Sequence, residues 1–184
     1  MPRGRHLLSL LALTACVPEL PGRQNKRDDS PTAAPRSAAL LRETMLARHA
    51  RERAAVGVPP LVWDAGLAAQ ALDYARSMAV TGRFARSEQP ERRGREGENL
   101  WAGARGVYTY DQMLDGWAAE KRLFVNLAAP GFSRTGRWAD VAHYTQMVWR
   151  GTTRVGCGLA SDHGRDFLVC RYLMPGNVAG RRAY

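Results

Sequence analysis

Apolar positions recur at helical spacing in four stretches of the chain. Leu41, Met45 and His49 fall four apart, which predicts a helix over 37–55 with His49 turned inward as a hydrogen-bonded core histidine. Residues 57–63 read as a turn and a short extended run. Leu67, Ala71, Ala75 and Met78 form the inner stripe of a second helix over 65–81, with Asp64 as cap and Gly82 as stop. Its many alanines predict close packing. Met113, Trp117, Glu120 and Phe124 predict a third helix, opened by Thr109 with Gln112 placed for a capping box. This puts the Glu120 carboxylate on a buried stripe, where it needs a partner or a ligand; a solvated edge or a plain salt bridge is the alternative. Val141, Tyr144 and Val148, with Met147 beside them, predict a helix that ends at Trp149 and is stopped by Gly151.

The pattern then changes to strand. The stretch after Gly151 and the run 166–172 read as two strands joined by the polar turn 161–165. If Cys157 faces Cys170, then Leu159 faces Leu168 and Val155 faces Tyr172, all apolar on one face. On the other face Gly156 meets Arg171, Gly158 meets Val169 and Ala160 meets Phe167. In this register the two thiols lie within bonding distance, and the entropic model gives a disulfide there about 3 kcal/mol. Residues 84–97 read as a charged loop closed by Glu98-Asn99-Leu100-Trp101, and 126–138 as a loop of small residues. Helices packed around a short sheet make an α/β domain in three layers.

Charge changes the picture little. The net charge is +10, carried by 25 arginines and 2 lysines. The arginines are interleaved with acids and the aromatics sit at core positions, which argues against nucleic-acid binding. A basic surface still favours anionic envelope polymers or lipid headgroups. At 184 residues the chain is one domain plus a tail.

The amino terminus reads as targeting. Arg3, Arg5 and His6 precede an apolar run from Leu7 to Ala15, too short to span a bilayer. Leu13-Thr14-Ala15-Cys16 resembles a bacterial lipobox, with ordinary secretory cleavage as the alternative. The organisation expected is a signal over 1–15, a proline-rich linker over 16–36 lipidated at Cys16, and a domain over 37–184. The protein is then exported to the cell envelope as a membrane-anchored lipoprotein, or secreted if the lipobox is not used. The three cysteines agree: two pair in the hairpin, and the odd one takes the lipid.

His143-Tyr-Thr-Gln-Met-Val-Trp149, Val155-Gly-Cys-Gly158, Val169-Cys-Arg-Tyr172 and Pro175-Gly176-Asn177 together resemble the CAP superfamily. That group includes cysteine-rich secretory, antigen-five, pathogenesis-related and bacterial SCP-like proteins. His49-Ala50-Arg51-Glu52-Arg53 is similar to its His-Asn-x-x-Arg signature, with Ala50 in place of asparagine. Gly97-Glu98-Asn99-Leu100 matches another signature. The resemblance implies an α-β-α sandwich and a cleft lined by two glutamates, Glu98 and Glu120, and two histidines able to bind zinc. One histidine is His143. Where the other is expected the chain reads Phe84-Ala85-Arg86-Ser87, so arginine occupies its place.

The expectation is therefore little or no zinc, because a guanidinium cannot ligate a metal and one imidazole is a poor zinc set. Arg86 is expected to reach Glu98 or Glu120 as a bidentate partner. Two functions stand open: a non-catalytic module that binds a lipid, wall fragment or protein, and a metal-dependent hydrolase with Glu98 or Glu120 as base. With no nucleophile motif and few histidines, the binding module is the favoured reading.

Overall fold

A computed structural model describes Met1, residues 33–89 and residues 96–184. The expected signal segment, Cys16 and most of the linker lie outside the described residues. The domain is the unit Pro31–Tyr184.

Ser37 accepts from the Leu40 amide and opens α1, Ala38–Ala54. Gly57, at φ 68°, turns the chain into the short β1, Val62–Trp63. Asp64 then accepts from the Leu67 amide and opens α2, Ala65–Thr81. Gly82 ends α2 in the left-handed conformation. The buried residues of α2 are Leu67, Ala71, Ala75 and Met78, the stripe expected from spacing.

Three elements depart from expectation. Residues 97–104, read as the end of a loop, form a strand, β2, Gly97–Ala104. Its glycines, alanines, Glu98 and Asn99 have low strand propensity, and pairing with a neighbour decides its conformation instead. The third helix is broken into α3, Tyr110–Met113, α4, Asp115–Ala119, and one 3-10 turn, Glu120–Arg122. Its capping box at Thr109 and Gln112 is present as expected. The last helix is also shorter: a 3-10 turn, Trp138–Val141, leads into α5, Ala142–Met147, which ends before Gly151.

The hairpin is β3, Arg154–Ser161, and β4, Arg165–Leu173. Its register pairs Cys157 with Cys170, Val155 with Tyr172 and Gly158 with Val169, and the two cysteines are bonded. The sheet order is β1-β3-β4-β2, with β1 parallel to β3 and the other pairs antiparallel.

Strand alternation divides the core into two layers. Val155, Cys157, Leu168, Cys170 and Tyr172 pack with Leu41, Met45, Trp117, Tyr144 and Met147. On the opposite face, Phe167, Val169 and Leu100 pack against Ala71, Ala75 and Met78 of α2. The result is an α-β-α sandwich. The glycines of β3 set how close α2 can come. A Cβ on Gly158 would stand 2.4 Å from Leu72 Cα, and one on Gly156 would stand 2.2 Å from the Ala68 nitrogen. These obstacles are helix backbone, which cannot yield by rotating a side chain.

Gly158→Ala is therefore expected to lower unfolding free energy by about 3 kcal/mol through overpacking. Gly164→Ala, in the hairpin turn, meets nothing within 4 Å and is expected to be nearly neutral. Urea unfolding of the two variants beside the parent checks the contrast.

Candidate functional site

α5 carries His143, and its two ends are held by different means. At the amino end Glu120 accepts from the amide N–H of His143 at 2.9 Å and of Tyr144 at 3.0 Å. It is a remote cap supplied by another segment, and its negative charge suits the amino end of a helix. The same carboxylate lies 2.6 Å from His143 Nδ1. An ionised carboxylate only accepts, so Nδ1 carries the hydrogen. The His143 ring stacks on Trp117 with ring planes 5° apart and centroids 5.7 Å apart.

At the other end Arg53 takes over. Its guanidinium is buried and donates to the carbonyls of Pro59, Met147, Trp149 and Thr152. Burial lowers its pKa to about 10, so it stays charged at neutral pH.

Glu98 has a separate environment. The register puts it opposite Arg171, on the face that α2 covers, while Asn99 beside it faces the other layer. Ser87 donates to both Glu98 oxygens, from its amide at 2.9 Å and its hydroxyl at 2.6 Å. Arg171 stands 3.5 Å from the Glu98 carboxylate and bonds Glu96 at 3.0 Å.

The expected pairing of Arg86 with a cleft carboxylate does not form. Arg86 instead donates to the main-chain carbonyl of Glu98 at 2.8 Å. The reason is local: Ser87 and Arg171 already occupy the Glu98 oxygens, and the carbonyl is the acceptor left within reach. Spacing alone does not single out Ser87.

The structure thus brings Glu120 to His143, and Glu98 to Ser87 and Arg171. No described contact joins the two groups. Among the described residues, no three of His, Cys, Asp and Glu come together in a way that could hold a metal ion. The residues present do not fit the zinc set that the resemblance implied. His163 lies in the hairpin turn between β3 and β4.

His49 is fully buried. It donates through Nδ1 to the Met45 carbonyl at 2.7 Å, and its Nε2 accepts from the Tyr172 hydroxyl at 2.9 Å. Asn99 donates to that hydroxyl at 3.3 Å and to the His143 carbonyl at 3.1 Å. Every member is an ordinary neutral partner, so His49 is structural, as its place on the α1 stripe implied.

Two larger cavities open on the surface. One, of about 670 Å³, lies between residues 86–89, the start of β2 and residues 175–178, with Trp138 and Gln146 completing its wall. Glu98 lines it, whereas Glu120 and His143 do not. The other, of about 610 Å³, lies between the first turns of α1 and α2 along β3 and is mostly apolar, with Arg36 and Arg42 among its lining residues.

Burial lowers the pKa of His49 from 6.5 to about 4. The unfolded chain therefore takes up this proton first as pH falls. The stability tied to neutral His49 is complete above pH 6.5 and is lost as pH falls toward 4, by at most about 3 kcal/mol. Unfolding free energies measured across that window should fall more steeply for the parent than for His49→Gln.

The chain matches the profile of CAP, the Cysteine-rich secretory protein family, over residues 46–172. A PR-1 type pathogenesis-related protein of Sambucus nigra is 39% identical over 140 residues, covering 74% of this chain and 77% of that protein. Pathogenesis-related protein 1B of Nicotiana tabacum is 36% identical over 140 residues, covering 74% and 76%. The crystal structure of NaASP2 with Zn2+ has the same fold, with a TM-score of 0.66 at 21% identity over 82% of this chain and 89% of that one. With the hairpin motif, the bonded cysteines and the sandwich in place, these matches identify the chain as a member of the cysteine-rich secretory protein (CAP) family.

Proposed function

We propose that this chain is an exported binding module that holds a ligand without transforming it. One observation carries the reading. Both oxygens of Glu98 and both oxygens of Glu120 already accept hydrogen bonds from the fold. A general base must reach the reacting proton, and these carboxylates are held instead against Ser87, His143 and the first turn of α5.

Export is supported by the charged and apolar segment over 1–15 and by the Cys157–Cys170 bond, a kind that persists in oxidising compartments. Leu13-Thr14-Ala15-Cys16 supports a lipid on Cys16, which would leave the domain at a membrane face of the cell envelope. The apolar cavity beside α1 and the mixed cavity beside β2 are two places with room for a ligand. Zinc has no part in this reading, because the sequence has Arg86 where the family resemblance puts the second imidazole.

Calorimetry with zinc at micromolar concentration is expected to show no stoichiometric uptake. Ester, peptide and phosphodiester substrates are expected to turn over no faster with the parent than with His143→Ala. Stoichiometric zinc, or turnover that His143→Ala abolishes, would replace the binding module with a metal-dependent hydrolase.

A further inference from the structure

The cavity beside β2 has a wall unlike the rest of the molecule. Trp138 lines it and is left 47% exposed. Its ring is shared with a second, smaller hollow of about 220 Å³, lined by Ala129, Pro130, Phe132 and Ala179. Asn177 also lines both hollows. A half-exposed Trp138 thus borders both a cleft of mixed polarity and a small apolar hollow.

The polar wall is already fixed. Gln89 exchanges hydrogen bonds with the main chain of Glu96, at 2.7 and 3.2 Å. Gln146 accepts from the Gly176 amide and donates to Thr152. Asn177 donates to the Ala142 carbonyl at 3.0 Å. Side chains pinned in this way lose little rotamer freedom when a ligand arrives, and each carbonyl oxygen has a second lone pair to offer.

Charge narrows the ligand further. On a chain of net charge +10, the described wall of this cleft carries Glu88, Glu96, Glu98 and Arg86, and Arg171, outside the wall, pairs with Glu96 and Glu98. Among the described lining residues the acids outnumber the cation, so this wall disfavours an anionic polymer or headgroup. The carboxylates of Glu96 and Glu98 are themselves held by Arg171, so a free cation gains little. The ligand left by elimination is neutral and rich in hydrogen-bonding groups, with an apolar face to lie on the indole.

Resting on the binding-module reading, we infer that this cleft binds a neutral pyranosyl glycan bearing N-acetyl groups. The sugar ring lays its C–H face on Trp138. Its hydroxyls and amide meet the pinned wall, and an acetyl methyl enters the small apolar hollow beyond the indole. Trp138 is a binding residue in this scheme, and no bond of the glycan is made or broken.

The test uses the mature chain and two probes, chitotetraose and cellotetraose, which share a β-linked backbone and differ in the N-acetyl group. Calorimetry is expected to show saturable chitotetraose binding below millimolar concentration and weaker cellotetraose binding. Trp138→Ala is expected to weaken chitotetraose at least about tenfold, the size expected of a lost aromatic face, with Trp138→Phe keeping most of the affinity. Unchanged melting temperatures would show that both variants fold, as the exposure of Trp138 implies. No binding at millimolar probe, or equal binding by parent and Trp138→Ala, overturns the inference. Flotation of the same proteins carrying Cys16→Ser, so that no lipid anchors them, separates the two levels: vesicle binding without chitotetraose binding keeps the module and discards the glycan. Cleavage of chitotetraose, read by mass spectrometry, would keep the glycan and discard the non-catalytic reading.

Discussion

Arg53 buries a guanidinium against four main-chain carbonyls, and much of the molecule is positioned by it. Two of those carbonyls, Met147 and Trp149, belong to the end of α5 and the residues after it, and a third, Thr152, leads into β3. The fourth, Pro59, precedes β1. A single side chain of α1 therefore fixes where α5 stops, where the hairpin begins and where its parallel neighbour enters. Carbonyls at a helix end lack partners within the helix, and a cation there also suits the helix dipole. An apolar residue in place of Arg53 would take this donor from all four, and the buried Met147 and Thr152 carbonyls would each lose it at a cost of about 1–3 kcal/mol.

Glu120 does the matching task at the opposite end of α5. Between these two anchors the helix has only six residues, too few to hold itself together in water. Its shape is imposed by groups from α1 and from the turn after α4. The same economy explains the state of the two acids that the family signatures single out. Glu120 holds a helix start, and Glu98 ties residue 87 and Arg171 to the edge strand. The neighbouring wall, where Trp138 is partly exposed, is the one proposed to take a ligand.

The parts legible in the sequence were those set by local rules. α2 has the expected bounds because Asp64, the Leu67 to Met78 stripe and Gly82 all agree. The hairpin register followed from matching apolar residues on one face and glycines on the other. β2 was not legible, since Gly97, Asn99 and Ala102 prefer other conformations and become strand only through β4. The broken third helix was missed because the spacing of Met113, Trp117 and Phe124 fits a straight helix as well as a segmented one. Arg171 was within reach of inference. The register placed it opposite Gly156 on a face packed against α2, and a buried guanidinium there demanded an acid. The signature around Glu98 marks the residue but does not say which face of a strand it occupies. Trp138 gave no signal in a loop of small residues.

The central claim is that Glu120 serves the fold and not a reaction, and Glu120→Gln tests it most directly. The amide keeps the size of the side chain but removes the charge and turns one acceptor into a donor aimed at other donors. The account predicts a loss of about 2 kcal/mol in unfolding free energy, the scale of hydrogen bonds to a charged group. Hydrogen exchange should show the amides of His143 and Tyr144 losing protection before those of β3 and β4. An unchanged unfolding free energy with both amides still protected would contradict it.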